Sequence, residues 1–112
     1  MTRVKVKYRK NMQDSGPSDH EAAVFAAELG ESVSLDLHGM TVDDAVRELD
    51  AFLNHEIMTG TDVVKIIHGR GEERLRRAVE KYLKANPLVE YSRGSQAPAQ
   101  AGAVTYAVLI RK

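Results

Sequence analysis

With 112 residues the chain has the usual size of one domain, enough to bury roughly two thirds of the surface its unfolded form exposes and too little for a second independent core. A hydrophobic fraction of 43% and a charged fraction of 29% exclude a disordered, collagenous or membrane-embedded chain, and no apolar run approaches the roughly 18 residues of a membrane span. The formal net charge of zero conceals three blocks: residues 1–10 carry five basic groups and no acid, residues 11–62 one base against twelve acids, and residues 63–112 ten bases against four acids. Such blocks place a basic face on a neutral molecule, which points to an anionic partner such as nucleic acid; plain solvation of the surface is the competing reading. The lack of cysteine removes disulfides, thiolate metal sites and cysteine nucleophiles together and fits a reducing compartment. No apolar stretch with a cleavage site follows the basic residues 3–10, so a cytoplasmic location is expected.

Residues 1–17 are expected to form a basic flexible arm and linker. Val4, Val6 and Tyr8 alternate with Arg3, Lys5, Lys7 and Arg9, a pattern shared by edge strands, and residues 11–18 are rich in turn formers. The folded domain is expected over 18–112. Ser18 and Glu21 make a capping box, and Ala22, Phe25, Ala26 and Leu29 share one helical face up to Gly30, which predicts a short docking helix over 18–30. The core is expected over 33–112. It starts with a strand, Ser34 to His38, closed by Gly39. Thr41 then caps a helix whose stripe is Val42, Ala45, Val46, Leu49, Phe52 and Leu53, ending near Thr59-Gly60. β-Branched Val63 to Ile67 predicts a second strand that runs into His68-Gly69-Arg70-Gly71. Leu75, Ala78, Val79, Tyr82 and Leu83 follow the helical spacing rule until Asn86-Pro87 stops them. Leu88 to Tyr91 and Ala103 to Ile110 are predicted strands around a loop over 92–100.

The fold class read from this order is α/β: a two-layer sandwich in which a β-α-β-α-β-β mixed sheet carries helices on one face, preceded by the short N-terminal helix. The two β-α passes are expected as right-handed crossovers between neighbouring parallel strands. A strand-His-Gly-helix echo at His38-Gly39 and His68-Gly69 would put both turns at the carboxyl edge of the sheet, where ligands of open α/β folds sit.

Strand alternation sends Leu35 and Leu37 toward the helices and leaves Asp36 and His38 together on the less covered face, close enough for the carboxylate to orient the imidazole or for both to hold one cation. An imidazole exchanges protons near neutral pH, which phosphodiester cleavage requires. A strand-end Asp capping a turn beside a half-buried His is the structural alternative. In His68-Gly69-Arg70-Gly71, glycines allow close approach and the helix start after them offers N–H groups to phosphate oxygens. Arg70, Arg74, Arg77, Lys81 and Lys84 extend a basic flank, while Glu72 and Glu73 at the helix start suit the dipole instead. His20 and His55 read as solvated or capping residues. Tyr8, Tyr91 and Tyr106 offer base stacking only as a minor theme, and no serine triad or zinc spacing is present.

Leu35-Asp36-Leu37-His38-Gly39-Met40-Thr41, Ile66-Ile67-His68-Gly69-Arg70-Gly71 and Leu75-Arg76 together resemble the small MutS-related (Smr) domain, over about Ser34 to Arg111. The resemblance implies a fold like the C-terminal domain of a bacterial translation initiation factor and an endonuclease activity on DNA or RNA. It also implies that Asp36 and His38 are catalytic and that the Gly69-Arg70-Gly71 turn binds the substrate backbone. Two positions depart from the pattern: Glu72-Glu73 follow the glycine turn where glycine or serine is frequent, and Gln100-Ala101-Gly102-Ala103-Val104 keeps one glycine where two or three are usual. The expected function is a nuclease that cleaves RNA or nicks DNA with little sequence preference. Asp36 and His38 would be catalytic, and His68, Gly69, Arg70, Gly71, Arg74, Arg77 and Lys81 substrate-binding. No cofactor is required for RNA; Mg²⁺ or Mn²⁺, on Asp36 and His38 if bound at all, suits DNA. A non-catalytic nucleic-acid or ribosome-binding module is the rival, and a protein-protein adaptor the third reading; a monomer without membrane contact is expected.

Overall fold

The structure, a computed structural model, describes residues 19–111. The arm over 1–17 and the cap at Ser18 lie outside the described residues. In chain order the elements are α1 (Asp19–Leu29), β1 (Val33–Asp36), α2 (Val42–Thr59), β2 (Val63–Ile67), α3 (Glu73–Ala85), β3 (Val89–Gly94) and β4 (Val104–Leu109). They form an α/β domain around one mixed sheet of order β1-β2-β4-β3. α2 begins and ends where its caps predict: Thr41 Oγ1 accepts the Asp44 N–H at 3.2 Å, and the Gly60 N–H closes the helix on the Ile57 carbonyl.

β1 and β2 are parallel neighbours, joined through α2, as expected. The second crossover is not between neighbours. β3 runs parallel to β2 with β4 inserted antiparallel between them. The cause lies in composition: every residue of β4 is buried, so both of its faces need cover, which only a central position provides. β3, with Glu90, Ser92 and Arg93, is left at the edge. The leucine face of the sheet meets α2 and α3 in one core of Leu37, Ala45, Leu49, Leu53, Val64, Ile66, Val79, Leu83, Ala107 and Leu109.

α1 packs on the opposite face, over β2 and β4, and adds a partial third layer. Its buried side also differs from the expected one. Val24 is fully buried with Ala27 beside it, against Val104, Tyr106 and Val108, whereas Phe25 and Leu29 are 58% and 74% exposed. Ion pairs set this orientation. Glu21 and Glu28 lie on the helical face of Val24, and both carboxylates reach the Arg93 guanidinium at 3.0 Å. Glu28, with only 5% of its side chain exposed, also accepts from Ser95 Oγ at 2.9 Å and the Gln96 N–H at 2.8 Å. An apolar stripe of small and aromatic residues is outweighed by a carboxylate pair that would otherwise leave Arg93 half-buried and unpaired.

The Arg93 hydrogen bonds, with help from the Gln96 N–H and Ser95, overcome the opposing effect of burial and pull the Glu28 carboxyl down to about 2. A carboxyl lowered on folding stabilises the fold fully above its unfolded value, near 4.5, and loses that contribution as pH falls through about 2. Arg93→Ala is expected to lower stability by about 3 kcal/mol at neutral pH in urea unfolding, and to flatten the acid limb of the pH–stability curve relative to wild type.

Candidate active site at the carboxyl edge of the sheet

β1 ends at Asp36, two residues before the expected end, but pairing continues through the Leu37 N–H to Ile67 O at 2.7 Å. The chain then turns sharply, with the Met40 N–H on the Leu37 carbonyl at 3.1 Å and Gly39 at φ +79°. That is the type II pattern, in which the third residue takes a positive φ. Leu37 is fully buried; the side chains of Asp36 and His38, on the opposite side, are 52% and 67% exposed. α1 covers β2 and β4, so the outer face of β1 stays open.

Asp36 Oδ1 lies 2.6 Å from His38 Nδ1 and also accepts the His38 N–H at 3.1 Å. These two bonds hold the Asp36 carboxyl below its usual range. It is therefore ionised at neutral pH and only accepts, which makes Nδ1 the donor and leaves Nε2 as the ring atom free to exchange a proton. The same hydrogen bond, the Asp36 charge and, more weakly, the Glu72 charge raise the His38 pKa above the ordinary value, against a small opposing effect of desolvation.

The second turn touches the first at Gly69. A Cβ built there would stand 3.0 Å from His38 Cβ and 3.2 Å from Glu72 Cγ, and φ is +98°. The other expected site residues are not gathered in one place. His68 is fully buried on the helix-covered side, bonded through Nε2 to Thr105 Oγ1 at 3.0 Å, and burial lowers its pKa; its ring faces away from the exposed pair. The His68 and Gly69 amides both donate to Ala103 O, at 3.0 and 3.1 Å, and Arg70 Nη2 donates to Ala99 O at 3.0 Å, so this turn is tied to the loop before β4. Arg77 is held by Glu73 at 3.1 Å, and Lys81 lies about 10 Å beyond Arg74 along α3, at ~1.5 Å per residue. Gly71 is exposed beside the start of α3.

Arg74 and Glu72 line a groove of about 560 Å³ between the starts of α2 and α3, with Met40, Val42, Asp43 and Ala78 on its other walls. Among the described residues no cluster of three or more histidines and acids is arranged to hold a metal. Glu72 is the participant that spacing does not reveal: its Oε2 accepts the Gly39 N–H at 3.0 Å across 33 positions of sequence. His20 and Tyr91 stack on each other with centroids 5.5 Å apart, the Tyr91 hydroxyl donates to Glu21, and Tyr106 is buried with its hydroxyl on Gln100, so neither tyrosine presents a free ring.

The Smr domain family model matches residues 35–110. The chain belongs to the Smr domain family. It is 40% identical over 72 residues to an endonuclease MutS2 of Brevibacillus brevis, covering 63% of this chain and 9% of that protein. With an endonuclease MutS2 of Pediococcus pentosaceus it shares 35% identity over 83 residues, 74% of this chain and 10% of that one. This Smr domain thus spans about a tenth of the length of these relatives. Among solved structures, the Smr domain of Thermus thermophilus MutS2 aligns with a TM-score of 0.65 at 30% identity, covering 70% of this chain and 98% of that one. The fold is also that of YdaL, a stand-alone small MutS-related protein from Escherichia coli, with a TM-score of 0.64.

Two outcomes check this geometry. Asp36→Asn is expected to move the His38 ring titration down toward the ordinary ~6.5, read by NMR; an unmoved midpoint contradicts the assigned hydrogen bond. Gly69→Ala should lower stability by about 1–3 kcal/mol in denaturant unfolding, because a positive φ and the backing His38 Cβ oppose the new methyl.

Proposed function

We propose that this Smr domain cleaves phosphodiester bonds in nucleic acid with Asp36 and His38 as its proton-transfer pair. The supporting observation is the 2.6 Å contact between two side chains that are both open to solvent, at the sheet edge where the two glycine turns meet. A structural pair would normally be enclosed or engaged elsewhere; this one keeps Nε2 free. The relatives' name, endonuclease MutS2, supports the same reaction class.

Cleavage requires an attacking oxygen to form a bond to phosphorus, the bond to the 5′ oxygen to break, and a proton to reach that leaving oxygen. His38, whose protonated form Asp36 favours, delivers the proton from Nε2, and Asp36 stabilises the imidazolium. RNA demands least of this pair, because its own 2′-hydroxyl is the attacking group and gives up its proton to solvent water as its oxygen bonds to phosphorus. DNA needs an activated water, which a divalent ion such as Mg²⁺ or Mn²⁺ would supply; Asp36 would hold it. Arg74 has no ion-pair partner among the described residues and stands at the groove beside Gly39, where it would hold a phosphate; contacts to the backbone rather than to base edges give little sequence preference.

His38→Ala and Asp36→Ala should each lower cleavage of labelled single-stranded RNA, duplex RNA or supercoiled DNA, assayed with EDTA or Mn²⁺, by about 10²–10⁴-fold for the histidine, with thermal unfolding unchanged. Wild-type rates from both variants would remove the pair from the mechanism. A binding module is the second reading, favoured by the internal bonds that occupy the His68 and Gly69 amides and Arg77. Binding that weakens steeply with salt, without product under any metal condition, establishes it.

A further inference from the structure

We propose that Glu72 is a positioning residue for His38, acting through the Gly39 amide; the proposal rests on His38 being the proton-transfer group. Gly39 follows His38 directly and occupies the third position of the Leu37–Met40 turn. Type I and type II turns share their outer hydrogen bond and differ by a flip of the central peptide, here the one between His38 and Gly39. Glycine accepts either form, so the Met40-to-Leu37 bond alone does not decide which way that peptide faces. The Glu72 carboxylate does, because it takes the Gly39 N–H at 3.0 Å only when that N–H points toward α3. A flip would turn the N–H away and swing the His38 carbonyl toward the Glu72 carboxylate, releasing the tie that holds the His38 turn against the start of α3, where Arg74 stands.

Three further observations place Glu72 for this task. It is the residue at the boundary of α3, yet its side chain makes no cap to its own helix. Its stem passes over Gly69, 3.2 Å from where a Cβ would be, through the same gap that His38 Cβ borders at 3.0 Å. The chain just before it is fixed, since the Gly69 N–H is bonded to Ala103 O. The carboxylate therefore projects from a rigid base.

The test uses the full chain with Glu72→Ala and Glu72→Gln, reading Gly39 amide hydrogen exchange by NMR alongside kcat and KM for the best substrate. Removing the carboxylate in Glu72→Ala should speed Gly39 exchange by about tenfold and lower kcat by about tenfold with KM within about twofold. Glu72→Gln keeps an oxygen acceptor and should restore both exchange protection and most of kcat. Unchanged Gly39 exchange in Glu72→Ala, or a Glu72→Gln variant as impaired as the alanine one, overturns the proposal. If wild type cleaves nothing, the endonuclease reading fails by itself, and the exchange measurement still decides whether Glu72 holds the turn.

Discussion

Because Asp36 lies opposite Ile67 in a parallel pair, the chain leaves β1 and β2 at the same edge of the sheet, and the two turns that follow have no room to diverge. They crowd each other at Gly69, where a side chain would press on His38. Everything distinctive about this edge depends on that crowding. It gives Glu72 its path to Gly39, leaves the Asp36–His38 pair open outward, and encloses His68 behind it. His38, two residues past β1, and Glu72, just ahead of α3, meet across a position where the chain has only hydrogen.

Much of this was legible in the residues themselves. Alternation along β1 separates Leu37 from Asp36 and His38 without any tertiary information, and Thr41 and Gly60 mark the ends of α2 by local chemistry. What the sequence concealed is non-local. The Glu72–Gly39 bond spans 33 residues, and nothing in a run of two glutamates says which one reaches back. His68 resembles His38 in its neighbours, yet it continues the buried side of Val64 and Ile66 and ends on Thr105. The insertion of β4 between β2 and β3 follows from its apolar character on both faces, a property that a run of six residues shows but that does not name its neighbours. For α1, the apolar residues suggested one face and the acidic ones imposed another, because the partner, Arg93, comes from the other end of the chain.

The charge blocks also change meaning once folded. The acidic middle and the basic block over 63–112 neutralise each other in pairs: Arg93 with Glu21 and Glu28, and Arg111 with Asp62. Arg76 and Arg77 share Glu73 within the basic block itself. Among the described residues, part of the apparent polarity is therefore taken up by pairs within the fold, and the cationic surface these residues offer a polyanion is narrower than counting suggests. Arg74, beside the groove, is where that remainder meets the candidate site.

The N-terminal helix has an implication of its own. It sits outside the stretch matched by the family model, and it shields Val104, Tyr106 and Val108, half of the most apolar strand in the molecule. A polypeptide shortened to begin at β1 would keep every group of the candidate site while baring that surface to water. Such a fragment would also leave the Arg93 guanidinium without Glu21 and Glu28, so the helix contributes both solubility and stability to the fold.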